Sequence, residues 1–298
     1  MNRIHPLRSR LALTACAAGL SALLAACGGG GGGATENRVA SVSAVTADTP
    51  PSYDNLATYS VSGANLDLGV TASATGCTGP AVLAGGTATA MKVTCTPSRD
   101  GEITVSLNTT TGTLLKSTAF NVPKPQVRMT TSAGNVLIEL EPAKAPITVK
   151  NFLTYVQDGF YVNTVFHRII STFMAQGGGF NFGTTYTAKP ATRPAIVLEK
   201  TTATGLNNTA KTIAMARTPS PDSATSQFFI NLVDNAFLNA QGSADGNGYA
   251  VFGTVVSTTD VNSDATLTAL KAVQVVSNGS ELSLPLSPPV ITAVARVR

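Results

Sequence analysis

The residues that could do chemistry lie in three short blocks, Phe166-His-Arg-Ile-Ile170, Phe173-Met-Ala-Gln-Gly-Gly178 and Ser226-Gln-Phe-Phe-Ile230. A guanidinium such as that of Arg168 stays charged at any working pH and presents its donors in a planar fork. It therefore suits stabilising a lone pair or a developing charge rather than relaying protons. His167 would suit proton transfer, yet no G-x-S-x-G nucleophile motif accompanies it, and it reads as structural. The other histidine, His5, stands near the start of the chain, so no multi-His metal set assembles and neither metal nor cofactor is expected. Gly177-Gly-Gly179 lacks the Lys-Ser/Thr of a phosphate loop, which leaves close backbone approach as the simpler reason for it. What remains is non-covalent chemistry, a fixed cation among apolar side chains.

A sheet is needed to position them. Residues 126–131 and 136–141 alternate apolar and polar side chains around Ser132-Ala133-Gly134-Asn135, the pattern of a β-hairpin. Pro146 then suits a first helical turn, Val149, Phe152, Leu153 and Val156 share one helical face, and Gly159 is a stop. Short strand-like runs follow at 164–170, 174–177, 212–216, 227–232, 250–255 and 290–297, which suits a mostly closed antiparallel barrel with few helices. Within such strands Met174 and Gln176 share a face, as do Gln227 and Phe229.

The three blocks, in this order, resemble the signature of cyclophilin-type peptidyl-prolyl cis/trans isomerases, most closely the bacterial periplasmic branch. Thr212-Ile-Ala-Met-Ala-Arg217, Asn235-Ala-Phe-Leu238 and Gly248-Tyr-Ala-Val-Phe-Gly253 extend the likeness over residues 126–298. The resemblance implies an eight-stranded antiparallel β-barrel capped by two helices, the second near residues 264–271. It implies Arg168 as the catalytic residue, with Phe173, Met174, Phe229 and Leu238 forming an apolar pocket for a proline ring. Gln176 would meet the substrate carbonyl, and Ala216 and Gln227 would line the neighbouring groove. Phe237 and Tyr249 complete the substrate-binding set, standing where the best-known eukaryotic members carry Trp and His, which predicts weak inhibition by cyclosporin. Ser171-Thr172 replaces the usual Pro-Gly. The implied partners are unfolded or extended polypeptides containing proline, met by a monomer without a cofactor. The alternative is a proline-peptide binding module or scaffold that keeps the fold but turns over weakly. The chemistry is consistent with the residues: rotation about an X–Pro bond pyramidalises the prolyl nitrogen, and a cationic donor beside it favours the twisted amide.

Upstream, residues 39–122 are rich in Ser, Thr, Ala and Gly. Strand-like runs at 57–62, 91–95, 103–107 and 117–122 alternate with turn signals at Gly76, Gly79-Pro80, Gly85-Gly86, Arg99-Asp100-Gly101 and Gly112. That pattern predicts a small β-sandwich-like domain, joined through the stiff Val122-Pro-Lys-Pro125 to an isomerase domain at 123–298. Cys77 and Cys95 lack C-x-x-C spacing and a nearby His, and are expected to form a disulfide worth about 3 kcal/mol in the chain-entropy model.

Residues 1–26 read as a secretion signal: Arg3, His5, Arg8 and Arg10 precede an apolar run too short for the roughly 20 residues of a spanning helix. Leu24-Ala-Ala-Cys27 resembles a lipobox, which makes Cys27 the lipidation site and residues 27–38 a flexible Gly-rich tether. Gly28 after the cysteine favours the outer membrane, with the protein facing the periplasm. With 43% hydrophobic and 12% charged residues, 27 Gly and 16 Pro, the 298-residue chain suits a mainly β globular protein rather than a disordered chain or helical bundle. Its formal +4 charge owes much to Arg3, Arg8 and Arg10, so no nucleic-acid partner is expected.

Overall fold

In the computed structural model, residues 38–277 and 283–298 are described. The leader, Cys27 and the tether up to residue 37 lie outside them. Seven strands form the N-terminal part: β1 (Ser41–Ala47), β2 (Ala57–Ala64), β3 (Val70–Thr75), β4 (Cys77–Val82), β5 (Ala90–Pro97), β6 (Gly101–Thr109) and β7 (Leu114–Val122). They pair into two small sheets, ordered β1-β2-β5-β4 and β3-β6-β7. Alternation buries Tyr59, Val61 and Val93 from one sheet and Ile103, Val105 and Leu107 from the other. The Tyr59 and Phe120 rings, one from each sheet, lie 4.7 Å apart. Cys77 and Cys95 are disulfide-bonded, with their Cα atoms 5.8 Å apart, which joins β4 to β5. Gly79-Pro80, read from sequence as a turn, lies inside β4 where the register slips between Thr78 and Ala81. An edge strand tolerates this, because a proline there withholds no N–H from the ladder and Gly79, at φ 61°, supplies the kink.

The C-terminal part begins with the hairpin β8 (Gln126–Thr131) and β9 (Gly134–Leu140), followed by α1 (Pro146–Gln157), β10 (Thr164–Ile169), β11 (Met174–Phe182), β12 (Tyr186–Ala188) and the single turn α2 (Thr201–Thr204). Next come β13 (Thr212–Met215), β14 (Phe228–Asn231), β15 (Val251–Val256), α3 (Ser263–Lys271), β16 (Val275–Val276), β17 (Leu284–Pro285) and β18 (Ile291–Arg296). The large sheet runs β10-β11-β14-β13-β15-β9-β8-β18, with β12 added to β11. β18 returns to β10 through a Val165–Val290 bridge, and Phe166 N donates to Pro289 O at 3.0 Å. The result is the nearly closed eight-stranded antiparallel barrel, with α1 and α3 packed on it. α2 is an addition that the sequence pattern did not mark.

α1 buries Val149, Phe152, Leu153 and Val156, the face its spacing predicts. It has no side-chain cap of its own. Instead Glu199 accepts from Ile147 N, Thr148 N and Thr148 Oγ1 at 3.1, 2.8 and 2.6 Å, satisfying orphan donors with a carboxylate. Phe152 lies 5.1 Å from Phe252, 5.4 Å from Tyr161 and 6.0 Å from Phe228, so an aromatic core fills the barrel. Burying a side chain of that size contributes about 1.5–3 kcal/mol.

Because strand neighbours point to opposite faces, the same strands that feed this core also face outward. Ala175, Ile213, Met215, Phe228 and Ile230 join the interior cluster. Met174, Ala214, Phe229 and Val251 join Leu238 in a separate outer one. The site is built on that outer face.

Candidate active site

Arg168 stands on β10 with its guanidinium carbon 5.9 Å from the centre of the Phe173 ring. Between them the chain makes a hydrogen-bonded turn: Phe173 N donates to Ile170 O and Ile170 N to Met174 O, both at 2.9 Å. Ser171-Thr172 thus sits in a closed turn. Register then aligns the strands, with Gln176 opposite Phe229 and Phe229 opposite Ala214.

These side chains surround a cavity of about 340 Å³ lined by Arg168, Phe173, Met174, Gln176, Ala216, Arg217, Phe229, Phe237, Leu238 and Tyr249. Met174, Phe229 and Leu238 are buried, whereas Phe237 is 57% exposed and stacks at 5.4 Å on Phe173. Tyr249 meets Phe229 edge-on at 5.6 Å. Apolar side chains share its walls with the guanidinium groups of Arg168 and Arg217 and the amide of Gln176. Such a space can hold a small saturated ring and present a donor to it. Among the described residues no group of three or more His, Cys, Asp or Glu is placed to bind a metal.

Gln227 opens instead on an adjoining cavity of about 510 Å³, which shares Arg168 and Gln176 with the first. Gln176 Nε2 donates to Gln227 Oε1 at 2.9 Å, so the two amides form a partition. Ala216, which the resemblance put beside the groove, lines the main cavity. The glycine run has a packing cause. A Cβ on Gly179 would come within 2.4 Å of Gln227 Cδ, and one on Gly178, at φ 81°, within 2.9 Å of Ser226 O. His167 is buried with its ring 4.5 Å from Phe180.

The family model described as cyclophilin type peptidyl-prolyl cis-trans isomerase/CLD matches residues 126–292. The chain belongs to this family. Peptidyl-prolyl cis-trans isomerase A of Dickeya dadantii is 44% identical over 191 residues, covering 62% of this chain and 94% of its own. Peptidyl-prolyl cis-trans isomerase B of Escherichia coli is 46% identical over 165 residues, covering 55% and 94%. A solved cyclophilin-type isomerase of Cryptosporidium parvum aligns over 58% of this chain and 99% of its own, with 24% identity and a TM-score of 0.45. The protein is a cyclophilin-type peptidyl-prolyl cis-trans isomerase.

Two features of this isomerase escaped the sequence reading. Arg217 is almost wholly buried, ion-paired to Asp245, donating from Nε to Gly248 O at 2.8 Å and lying 4.8 Å over the Tyr249 ring. It carries the Tyr249 wall of the cavity. The backbone N–H of Asn247, and next Arg217 itself, hold the Asp245 carboxyl well below the usual range. Arg217 closes one of the signature blocks, but nothing in the sequence marks Asp245 and Gly248 as its partners.

The second feature is a buried asparagine chain. Asn235 Nδ2 donates to Phe173 O at 3.0 Å and to Asn231 Oδ1 at 2.7 Å. Asn231 Nδ2 reaches Asn208 Oδ1 at 3.2 Å, and Asn208 Nδ2 reaches Leu238 O at 3.2 Å. Phe173 and Leu238, on different elements, are thereby fixed by one network. A polar residue ending the apolar run Phe228-Phe-Ile-Asn231 was the available signal.

Proposed function

We propose that Arg168 accelerates isomerisation by donating a hydrogen bond to the prolyl nitrogen of a twisted X–Pro amide. The observation that carries this is the Arg168 guanidinium on the wall of a cavity that Phe173, Met174, Phe229 and Leu238 also line, on the outer face of the barrel. Resonance gives the amide a rotation barrier of about 18–20 kcal/mol. Left alone, an X–Pro bond isomerises in tens to hundreds of seconds. Twisting removes conjugation and frees the nitrogen lone pair, so a donor aimed there binds the twisted state better than either planar one. A charge-assisted hydrogen bond contributes roughly 1.5–3 kcal/mol. That is about one to two powers of ten in rate. Phe173, Met174, Phe229 and Leu238 supply the remainder by gripping the ring while Gln176 holds the substrate carbonyl. No bond breaks and no proton moves. Exchange NMR on an Ala-Pro peptide tests this reading directly: the full chain should broaden or exchange the cis and trans resonances, and a folded chain that leaves them unaltered refutes it.

The substrates in this reading are X–Pro bonds of exported, unfolded polypeptides, met by a monomer that Cys27 tethers to the periplasmic face of the outer membrane. Support comes from the leader pattern ahead of Cys27 and from the Cys77–Cys95 disulfide, which suits an oxidising compartment. Metabolic labelling with palmitate should mark the wild type in the outer-membrane fraction and leave Cys27→Ala unlabelled. An unlabelled wild type would contradict the anchor.

A further inference from the structure

The two ends of the N-terminal sandwich differ in chemistry. At one end four segments meet: residues 38–40 before β1, 65–69 after β2, 83–89 between β4 and β5, and 110–114 at the β6–β7 turn. Arg38 Nη2 donates to both carboxylate oxygens of Asp67 at 2.7 and 2.8 Å, and Arg38 Nε to Asn65 Oδ1 at 3.1 Å. Asn65 Nδ2 donates in turn to Val39 O at 2.9 Å. A Cβ on Gly69 would come within 2.9 Å of Thr110 Cγ2, so the 110–114 turn lies against the 65–69 segment. Arg38 and Asp67, paired with each other, are the only charged residues in the four segments, whereas the turns at the opposite end carry Asp48, Asp54, Arg99 and Asp100. Around that pair Val39, Leu68 and Leu114 are 64, 44 and 58% exposed. Scattered exposed apolar residues are ordinary; three on one end that has no net charge mark a surface that another apolar phase can cover.

Connectivity says which phase. The chain from Cys27 enters the sandwich at Arg38, eleven residues on, and at no more than about 3.6 Å per residue it holds this end within about 40 Å of whatever Cys27 is fixed to. The barrel is joined at the other end, where β7 runs out into residues 123–125 and Asp100 Oδ1 accepts from Ala143 N at 2.8 Å. β2 and β6, eight and nine residues long, set the two ends roughly 25–30 Å apart. An end without net charge can enter the headgroup boundary of a bilayer by its apolar area alone, with no unpaired ion to desolvate.

We propose that this end of the sandwich docks on the lipid bilayer through Val39, Leu68 and Leu114, and that the sandwich is an oriented spacer holding the isomerase barrel off the membrane. The choice of a bilayer as occupant rests on the Cys27 anchor proposed above. The chain has no tryptophan, so Leu68→Trp and Leu114→Trp each place a sole indole at this end, and Leu56→Trp places one at the other, where Leu56 is exposed as well. Each full chain, shown to be folded by circular dichroism, is mixed with phosphatidylcholine vesicles whose acyl chains are brominated. Emission from Leu68→Trp and Leu114→Trp should shift to the blue and be quenched, equally at low and high salt because no net charge is involved, while Leu56→Trp keeps its unquenched spectrum. Equal quenching at both ends, quenching at neither, or quenching lost at high salt overturns the proposal. Palmitate labelling reads the anchor separately. Quenching of the two indoles in an unlabelled chain supports the docking face without the lipid, and a labelled chain whose indoles stay unquenched refutes the face while keeping the anchor.

Discussion

Phe237 is the residue at which this cavity departs most visibly from a tryptophan-bearing one. Its ring is more than half exposed on the rim and offers no N–H, so a ligand carbonyl arriving there finds no donor. Cyclosporin should accordingly inhibit the wild type weakly, and Phe237→Trp should lower the inhibitory concentration in a peptide isomerisation assay; equal inhibition of the two would show that the indole donor is irrelevant here. The residues around this rim were legible because they occur in contiguous blocks. Met174 and Gln176 sit two apart in one strand, as strand parity requires of residues lining one face. Arg217 was not legible in its role, since the fold alone brings Asp245, Gly248 and Tyr249 to it. The same holds for Gln227, whose displacement into the adjoining cavity depends on the Gly179 backbone across the sheet.

Elements position the site through the buried asparagines more than through any local preference of the loops. Removing the side chain in Asn235→Ala would leave Asn231 Oδ1 without this donor, while Phe173 O would keep the Leu232 N–H alone. Leaving a buried acceptor unsatisfied costs about 1–3 kcal/mol. Thermal denaturation should show that loss, and KM for an Ala-Pro peptide should rise more than kcat falls, because Phe173 shapes the ring site. An unchanged melting temperature and KM would mean that water or the remaining turn bonds replace the network. The long amphipathic α1 and the β8–β9 hairpin were readable from periodicity and turn residues, and their limits follow that pattern. β1 and β3 were not, since Ser, Thr and Ala alternate there with few large apolar side chains. β4 was obscured by Gly79-Pro80, whose usual meaning is a turn and which an edge strand absorbs as a bulge.

At the scale of the molecule, residues 38–298 form one compact unit, and several contacts tie its N-terminal sheets to the barrel. Asp100 Oδ1 accepts from Ala143 N at 2.8 Å, and Lys124, between the two, pairs with Glu141 at 2.6 Å. Tyr53 lies at this junction, 3% exposed, under the influence of Asp54 and Asp100 from one side and of Arg296 and Glu199 from the other. Burial, reinforced by Asp54, pushes its hydroxyl from 10.0 up to about 12. A raised value means that folding favours the neutral phenol. Its contribution is fully present below pH 10 and is lost as pH rises toward 12. Chemical denaturation should therefore show stability falling across that window, with a smaller fall in Tyr53→Phe. Identical profiles for the two would place the alkaline transition elsewhere.

If the Arg168 guanidinium lowers the barrier to prolyl rotation, Arg168→Ala must slow it. Isomerisation of an Ala-Pro peptide is to be measured with the full chain in wild-type and variant form, both shown to be folded by circular dichroism. In the variant kcat/KM should fall by about one to two powers of ten. A folded Arg168→Ala that keeps the wild-type rate would contradict it.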